Sequence, residues 1–182
     1  MKGELAPETL WTAWPGEFEN EKSRRKSAWK MRGRNKGDDR YTGFWCMGCH
    51  QYVPAAVMFS GVQNRNHCPY CLRSRHLDLY EAGDRLAACK AVMSPVGLTV
   101  KKTAKKYGQA QGELMLIHVC VDCGKVSINR IAADDDAQRI LELFEDSLQL
   151  DAPIRRRLAK SGVGTLRATD LALVRARLFG RN

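Results

Sequence analysis

The sequence predicts an α+β fold in which a small β-rich domain is preceded by an extended arm and followed by helices. Three observations support this prediction. Residues 1–40 mix glycine, proline, serine and charge without a sustained apolar period, and residues 41–136 contain short apolar runs between turn-forming residues. Residues 137–182 repeat apolar residues at helical spacing. These three ranges are the predicted domains.

Composition limits the class of protein. A chain of 182 residues has room for one ordinary domain with appendages, and its 44% apolar and 27% charged residues are typical of globular proteins. The longest apolar run, Leu114 to Val121, is interrupted by His118 and is far shorter than the roughly 18 residues of a membrane span. We therefore expect no membrane partner. Since the N-terminus has no recognisable secretory leader, we also expect a cytoplasmic location.

The arm carries much of the positive charge. The net charge is +10, and the segment from Lys22 to Lys36 contains eight basic residues and no acid. Such a cluster indicates a polyanionic partner, most often nucleic acid, although a solvated terminus is the simpler alternative. The arm residues expected to contact nucleic acid are Arg24, Arg25, Lys26, Lys30, Arg32, Arg34 and Lys36.

The central region reads as short strands and turns. Residues 96–101 and 113–119 are predicted to pair as a hairpin across a glycine-containing loop. Residues 85–93 are ambiguous, because they fit either a strand or a short helix capped by Asp84. The segments 46-CMGCHQYV-53 and 120-CVDCGKVS-127 each place a cysteine pair before a possible strand, which suggests an internal repeat.

The cysteine spacing predicts a four-thiolate metal site. Cys46 and Cys49 are followed, after an interval of eighteen residues, by Cys68 and Cys71. This is the spacing of four-cysteine zinc sites, in which two thiolates on one tight turn and two on another complete a tetrahedron. Four thiolates leave no coordination position for water or substrate, so the predicted site is structural. The central domain is therefore expected to be zinc-ribbon-like.

The remaining thiols, Cys89, Cys120 and Cys123, predict a second zinc ion that needs one histidine. If residues 77–80 and 85–88 form a hairpin around 81-EAGD-84, His76 faces Cys89. His118 competes with His76, because it lies two positions before Cys120 on the same face of a predicted strand. The sequence does not decide between the two histidines. We expect a closed Cys3His site rather than an open, catalytic one.

The C-terminal region is predicted to be helical. Ile140, Leu141, Phe144 and Leu148 lie on one face behind the acidic run 134–136, whose carboxylates we expect to cap the helix. Residues 153–179 are similar in spacing to a helix-hairpin-helix element. In such an element, backbone amides near Gly162 and Gly164 would cradle a phosphate flanked by Lys160 and Arg167. The alternative is an ordinary helix pair in which Gly162 ends the first helix.

Five segments resemble the bacterial RNHCP-domain family, over about residues 41–136. They are 65-RNHCPYC-71, 74-SRHLDL-79, 83-GDRLAAC-89, 117-IHVCVDC-123 and 129-NRIAADDD-136. The resemblance implies a small zinc-binding domain rich in cysteine and histidine. It implies no defined activity, because the function of the family is undefined. The basic arm and the C-terminal helices lie outside the matched region.

The expected function is that of a non-enzymatic zinc protein that binds structured RNA. Within the domain, the cations expected at the binding surface are Arg65, Arg73, Arg75 and Arg130, with Phe44, Trp45 or Tyr70 available to stack on bases. Ribosomal RNA and ribosomal proteins are the expected partners, by analogy with small basic zinc ribbons of the ribosome. Double-stranded DNA is the nearest variant.

Two other classes of function fit the sequence less closely. A metal-dependent nuclease or other hydrolase would use His67 or His118 as base beside an open metal, with Asn129 and an aspartate of 134–136. An interaction adaptor would use the zinc-held domain to bind a protein partner.

Overall fold

The structure is a computed structural model that describes residues 43–102 and 112–180. The predicted arm, with all seven of its proposed nucleic-acid contacts, lies outside the described residues. The described part is α+β, as predicted, and contains two clusters of side chains that could each hold a metal ion. None of its helices is both long enough and apolar enough to cross a membrane.

Six strands form two antiparallel sheets. β1 (Gly43–Trp45) and β2 (Tyr52–Pro54) make a small hairpin around the first cysteine pair. The larger sheet has the order β3-β4-β5-β6, all antiparallel. Its strands are β3 (Ser74–Arg75), β4 (Val92–Lys101), β5 (Glu113–Cys120) and β6 (Val126–Arg130).

The predicted central hairpin is confirmed by β4 and β5, which pair from Met93 opposite Cys120 to Lys101 opposite Glu113. The ambiguous segment 85–93 is neither a helix nor a full strand. Arg85 and Lys90 both have positive φ angles, 56° and 52°, which break regular structure before β4 begins.

Four helices complete the described chain. They are α1 (Val57–Ser60), α2 (Ala137–Ser147), α3 (Ala152–Lys160) and α4 (Leu171–Phe179), with a 3₁₀ turn (Ala168–Asp170) before the last. The predicted acidic cap is confirmed for Asp136, whose carboxylate accepts hydrogen bonds from the N–H groups of Gln138 and Arg139.

The larger sheet has a packed core on both faces. On one face, β4 and β5 contribute Leu98 and Leu116, which pack with Phe144 of α2 and Val174 of α4. On the other face, Val96 and Ile117 pack against Leu158 of α3. Residues 114–117 of β5 form a continuous run of buried apolar side chains, so both faces of the sheet need packing partners. The helices at the C-terminus are therefore part of the same folded body as the sheet.

Gly97 allows α2 to lie close to β4. A β-carbon at position 97 would lie 2.8 Å from Cβ of Ser147, at the end of α2. We expect Gly97→Ala to lower the free energy of unfolding by about 1–3 kcal/mol, because the helix must move away from the strand. Urea unfolding at a fixed free zinc concentration measures this cost. Gly164→Ala is the control, since nothing lies within 4 Å of the added carbon. An equal loss in both variants would contradict this account of Gly97.

The predicted phosphate cradle of the helix-hairpin-helix element is corrected at Gly162. Its N–H donates to the carbonyl of Ala159 (3.0 Å), and the N–H of Val163 donates to the carbonyl of Leu158 (3.0 Å). With a φ of 67° at Gly162, this is the usual glycine termination of a helix. The amide of Gly162 is therefore already satisfied by α3, as in the simpler alternative.

The segment between α3 and α4 is also tied to the protein itself. The N–H of Leu166 donates to the carbonyl of Leu98 in β4 (3.0 Å), so the connection lies along the sheet. The N–H of Arg167 donates to the carboxylate of Asp170 (2.7 Å), which places an acid at the start of the second helical segment. Such an acid disfavours a phosphate at that position. Lys160, Gly164 and Arg167 are exposed.

Candidate metal centres

Three Cys-x2-Cys segments fold into the same turn. In each, the N–H of the first cysteine donates to the carbonyl five residues later, and the N–H four residues later donates back to the first cysteine, at 2.9–3.1 Å. The residue at that fourth position has a left-handed φ: 60° at His50, 58° at Leu72 and 72° at Gly124. This turn directs both thiols of a pair to one side. The repeat suggested by the sequence is therefore a repeated backbone turn, and a strand follows each copy.

The first centre combines the turns that begin at Cys46 and Cys68. Sγ of Cys46 lies 3.5 Å from Sγ of Cys71, and Sγ of Cys49 lies 3.5 Å from Sγ of Cys68. All four sulfur atoms lie within 4.8 Å of one another. Zinc bonds of about 2.3 Å place tetrahedral sulfurs about 3.8 Å apart, so the cluster fits a zinc ion.

The electrostatics of the first centre favour a bound cation. Burial raises the pKa of the Cys71 thiol to about 11, and burial also raises the pKa of Cys68 well above its usual range. Burial opposes ionisation of Cys46 as well, but backbone N–H groups of Cys49 and Gly48 outweigh it and lower the pKa to about 7. Four thiolates this close repel one another without a cation. A zinc ion would stabilise all four and release protons as it binds.

The second centre brings together His76, Cys89, Cys120 and Cys123, again within 4.8 Å of one another. Sγ of Cys89 lies 3.6 Å from Sγ of Cys120, and Nδ1 of His76 lies 3.3 Å from Sγ of Cys123. These separations suit a tetrahedral Cys3His zinc site with Nδ1 as the nitrogen ligand. The alternative between the two histidines is thus decided for His76. Because four protein ligands fill a tetrahedron, both clusters are closed, structural geometries.

His118 belongs to neither centre. Its side chain is fully buried, its Nε2 donates to the carbonyl of Leu72 (2.6 Å), and its Nδ1 lies 3.0 Å from the side-chain amide of Asn129. Burial lowers the pKa of His118 to about 3, so the ring is neutral. Since Leu72 directly follows Cys71, the ring of His118 stabilises the backbone of the first centre and does not serve as a metal ligand.

One aspartate organises the loop between His76 and Cys89. The carboxylate of Asp84 accepts hydrogen bonds from the N–H groups of Leu79, Tyr80, Glu81 and Leu86, at 2.8–3.0 Å. These N–H groups hold the pKa of Asp84 well below its usual range. The predicted hairpin of residues 77–80 and 85–88 is wrong, because no strands form there. The N–H of Ala87 donates to the carbonyl of Leu77 (2.9 Å), one position away from the predicted pairing of Leu77 with Ala88.

Asp84→Asn is expected to weaken zinc binding at the second centre severalfold and to leave the first centre unchanged. The amide has one acceptor oxygen and no charge, so the loop that delivers Cys89 loses part of its order. In the wild type, the ionised carboxylate of Asp84 stabilises the loop above the pKa of an unfolded aspartate, about 3.9. This stabilisation is lost as pH falls below that value and the carboxylate is protonated. Titration with a competing chelator at neutral pH measures both affinities. Glu81→Gln, whose side chain is exposed, is the control; equal weakening by this control would contradict the role of Asp84.

A buried ionic network joins the second cysteine turn to α2. The guanidinium of Arg65 donates to Asp134 (2.6 Å) and to Asp135 (3.2 Å), and its Nε donates to the carbonyl of His67 (3.1 Å). Nε2 of His67 lies 2.8 Å from Asp135, whose side chain is completely buried. The carboxylate of Asp135 also accepts a hydrogen bond from the N–H of Ala132 (2.7 Å). The network fixes the start of α2 against the first centre.

The prediction that Arg65 contacts nucleic acid is therefore corrected. Its side chain is 0% exposed and is held by two carboxylates, so it is not available to a ligand phosphate. The sequence contains one signal of this role, because three successive aspartates exceed what a helix cap requires. His67, the candidate base of the nuclease alternative, is also held within the protein by its hydrogen bond to Asp135.

A model of the RNHCP domain family matches residues 41–141, more than half of the chain. The chain belongs to the RNHCP domain family. Comparison with curated proteins finds no match, and comparison with solved structures finds none either. The residues that give the RNHCP domain its characteristic sequence are divided between two tasks in this structure: cysteines and His76 form the candidate zinc centres, while Arg65 and His67 hold α2. The RNHCP domain of this chain is thus a zinc-binding domain.

The remaining predicted contacts of the RNHCP domain differ in availability. Arg73 and Arg75 are exposed beside the first centre. Arg130 is exposed but its guanidinium pairs with Glu113 (3.1 Å). Of the aromatic residues, Phe44 packs against the first centre, whereas Trp45 and Tyr70 are exposed. The residues of the nuclease alternative, His67, His118, Asn129 and Asp135, form hydrogen bonds within the protein and lie in neither cluster.

Proposed function

We propose that this RNHCP protein is a non-enzymatic zinc protein that binds structured RNA and associates with the ribosome in the cytoplasm. The observation that carries the proposal is the contrast between its interior and its surface. Both candidate metal centres are closed by four protein ligands, so metal serves the fold and leaves no position for a reacting water. The surface is free to bind phosphate.

Four exposed cations lie together on one helix. Arg155, Arg156, Arg157 and Lys160 are all exposed on α3, and Lys125 is exposed in the turn of the second centre. The guanidinium of Arg157 lies against Gly124 of that turn, where an added β-carbon would be 1.2 Å from it. The basic helix and the second centre therefore adjoin each other. Phosphate binding by such a surface is electrostatic and depends strongly on salt.

The test is sedimentation of the zinc-loaded protein with ribosomes from lysate, at low and high salt. We expect co-migration with ribosomal particles at low salt, lost at high salt because cations compete for the phosphates. The variant Arg155→Gln/Arg156→Gln should weaken association, while Arg139→Gln, whose guanidinium already pairs with Glu142, should not. Free protein at low salt, or association that persists after nuclease treatment, would contradict RNA binding.

The adaptor alternative has one observation in its favour. Val57, Met58 and Phe59 on α1 are exposed apolar side chains, with exposures of 43%, 70% and 51%. An apolar surface of this kind is found at protein–protein contacts. Association that survives nuclease but is lost in Met58→Ser/Phe59→Ser would favour this alternative over RNA binding.

A further inference from the structure

We propose that the cavity beside the first centre binds one unpaired nucleotide of an RNA strand, with the base against Trp45 and the phosphate at Arg73. This inference rests on the proposed RNA binding and assigns it a site. The cavity has a volume of about 270 Å³. On one side it is lined by β1 and the start of the first cysteine turn, residues 43–48, and on the other by the segment that follows the second turn, from Arg73 to Leu77.

The walls of the cavity combine apolar and cationic side chains. Its apolar lining includes Phe44, Trp45, Met47, Leu77 and Val92. Four arginines also line the cavity, and among the described residues no carboxylate lines it. The guanidinium of Arg65 is already paired with two aspartates. The arginines that remain to bind a ligand are Arg73, Arg75 and Arg85. This composition selects a ligand that has both a flat apolar part and a negative charge.

Trp45 supplies a surface for a flat ligand. Tryptophan has the largest apolar side chain, yet Trp45 is 70% exposed. The edge-to-face contact with Tyr52, with ring centroids 5.5 Å apart and planes at 65°, supports one part of the indole. Trp45 directly precedes the candidate ligand Cys46, so the turn of the first centre holds the backbone from which the indole projects. Exposed aromatics of this kind stack on unpaired bases.

Arg73 supplies the charge. It is the last residue of the second cysteine turn, and its carbonyl accepts the hydrogen bond that closes that turn. Its side chain lies across Gly48 of the first turn, where an added β-carbon would be 2.5 Å from Cδ of Arg73. Gly48 therefore permits the guanidinium to reach the cavity from the opposite turn. Within the described residues Arg73 has no ion-pair partner, in contrast to Arg85, which pairs with Asp78 (3.7 Å).

Arg75 provides a second cation at the same wall. Its Nε donates to the carbonyl of Lys90 (3.1 Å), which holds the side chain in place and leaves the terminal N–H groups unused in the described structure. The two positive charges of Arg73 and Arg75 balance the charge of −2 that a zinc-loaded four-thiolate centre would carry. A nucleotide provides the anion and the aromatic ring in one molecule. A base inside a duplex is stacked on its neighbours and cannot enter a cavity, so the proposed ligand is unpaired.

The test uses the full, zinc-loaded protein and RNA hairpins that carry 2-aminopurine either in the loop or in the stem. We expect fluorescence quenching of the loop probe only, because stacking on Trp45 requires an unpaired base. Trp45→Ala should remove the quenching and weaken binding about 5- to 150-fold, while Trp45→Phe should retain part of both. Tyr80→Ala, which changes an aromatic residue that is 83% exposed outside this cavity, is the control and should behave as wild type.

Arg73→Met should weaken binding and reduce the slope of log affinity against log salt by about one, because one phosphate contact is lost. Arg175→Met removes the same charge from an exposed position on α4 and should keep the slope. Zinc content confirms that each variant retains the first centre. RNA binding that is unchanged in Trp45→Ala and Arg73→Met would overturn the proposed site but keep RNA binding. No binding to either hairpin would overturn both, and equal competition by an acidic peptide without bases would overturn the nucleotide assignment.

Discussion

Cys68→Ser is expected to reduce the zinc content from two ions per chain to one and to unfold the region around the first centre. Cys68 is fully buried and belongs to a small core formed by Cys46, Val53 and Phe44. This core is too small to stabilise the β1–β2 hairpin alone, because isolated two-stranded hairpins are marginal in water. The free energy of zinc binding, about 10–16 kcal/mol in small zinc peptides, is here largely free energy of folding.

Elemental analysis of purified protein and thermal unfolding followed by circular dichroism measure this effect. Cys123→Ser is the matched variant, because Cys123 is an exposed ligand of the second centre. It should also lose one ion, but should leave the first hairpin folded. Lower pH should release zinc from wild type, since protons compete for the thiolates. Wild type without zinc, or Cys68→Ser with two ions, would contradict the assignment of the centres.

Asp135→Asn is expected to lower the free energy of unfolding by about 3–5 kcal/mol. The substitution leaves the buried guanidinium of Arg65 with only the partly exposed Asp134 as counter-charge, and it weakens the acceptor for His67. Desolvation of an arginine without its partner is costly, whereas an amide in place of the carboxylate changes little in volume. The loss should appear as detachment of α2 from the second cysteine turn.

Urea unfolding of the zinc-loaded protein, at one fixed free zinc concentration, measures the change. Asp134→Asn is the control, because the Asp134 side chain is 31% exposed and water can replace it; its cost should be clearly smaller. Arg65→Met combined with Asp135→Leu should recover part of the stability, since no buried charge is left unpaired. The recovery is incomplete because the N–H of Ala132 and the ring of His67 lose their acceptor. A cost below about 1 kcal/mol for Asp135→Asn would show that the network does not hold α2.

Much of the candidate site follows from local spacing. Two cysteines three positions apart can meet one ion through a single turn, so Cys46 and Cys49, or Cys120 and Cys123, are identified without any long-range information. The helix of residues 137–147 is similarly local, because its apolar period and its aspartate cap lie within one short segment. The α+β class and the two cysteine clusters could therefore be predicted.

The tertiary structure alone decided which histidine completes the second centre. His118 and Cys120 share one face of a regular strand, but Cys120 begins a turn, and the strand's alternation no longer predicts where its thiol points. His76 reaches the centre because β3 pairs with β4, and β4 pairs with β5 in the register that places Met93 opposite Cys120. Register between distant strands depends on packing of the whole sheet rather than on nearby residues.

The sequence by itself determined the metal-binding turns and the C-terminal helices, because each depends on residues within a few positions of one another. It also determined the basic character of the chain, which follows from composition alone. The tertiary structure decided the roles of individual charged residues. Arg65 and Arg73 flank the same cysteine pair, yet one is buried between two aspartates 69 and 70 positions away and the other is exposed. Burial is a property of the folded surroundings, so composition and spacing do not distinguish a structural arginine from a binding one.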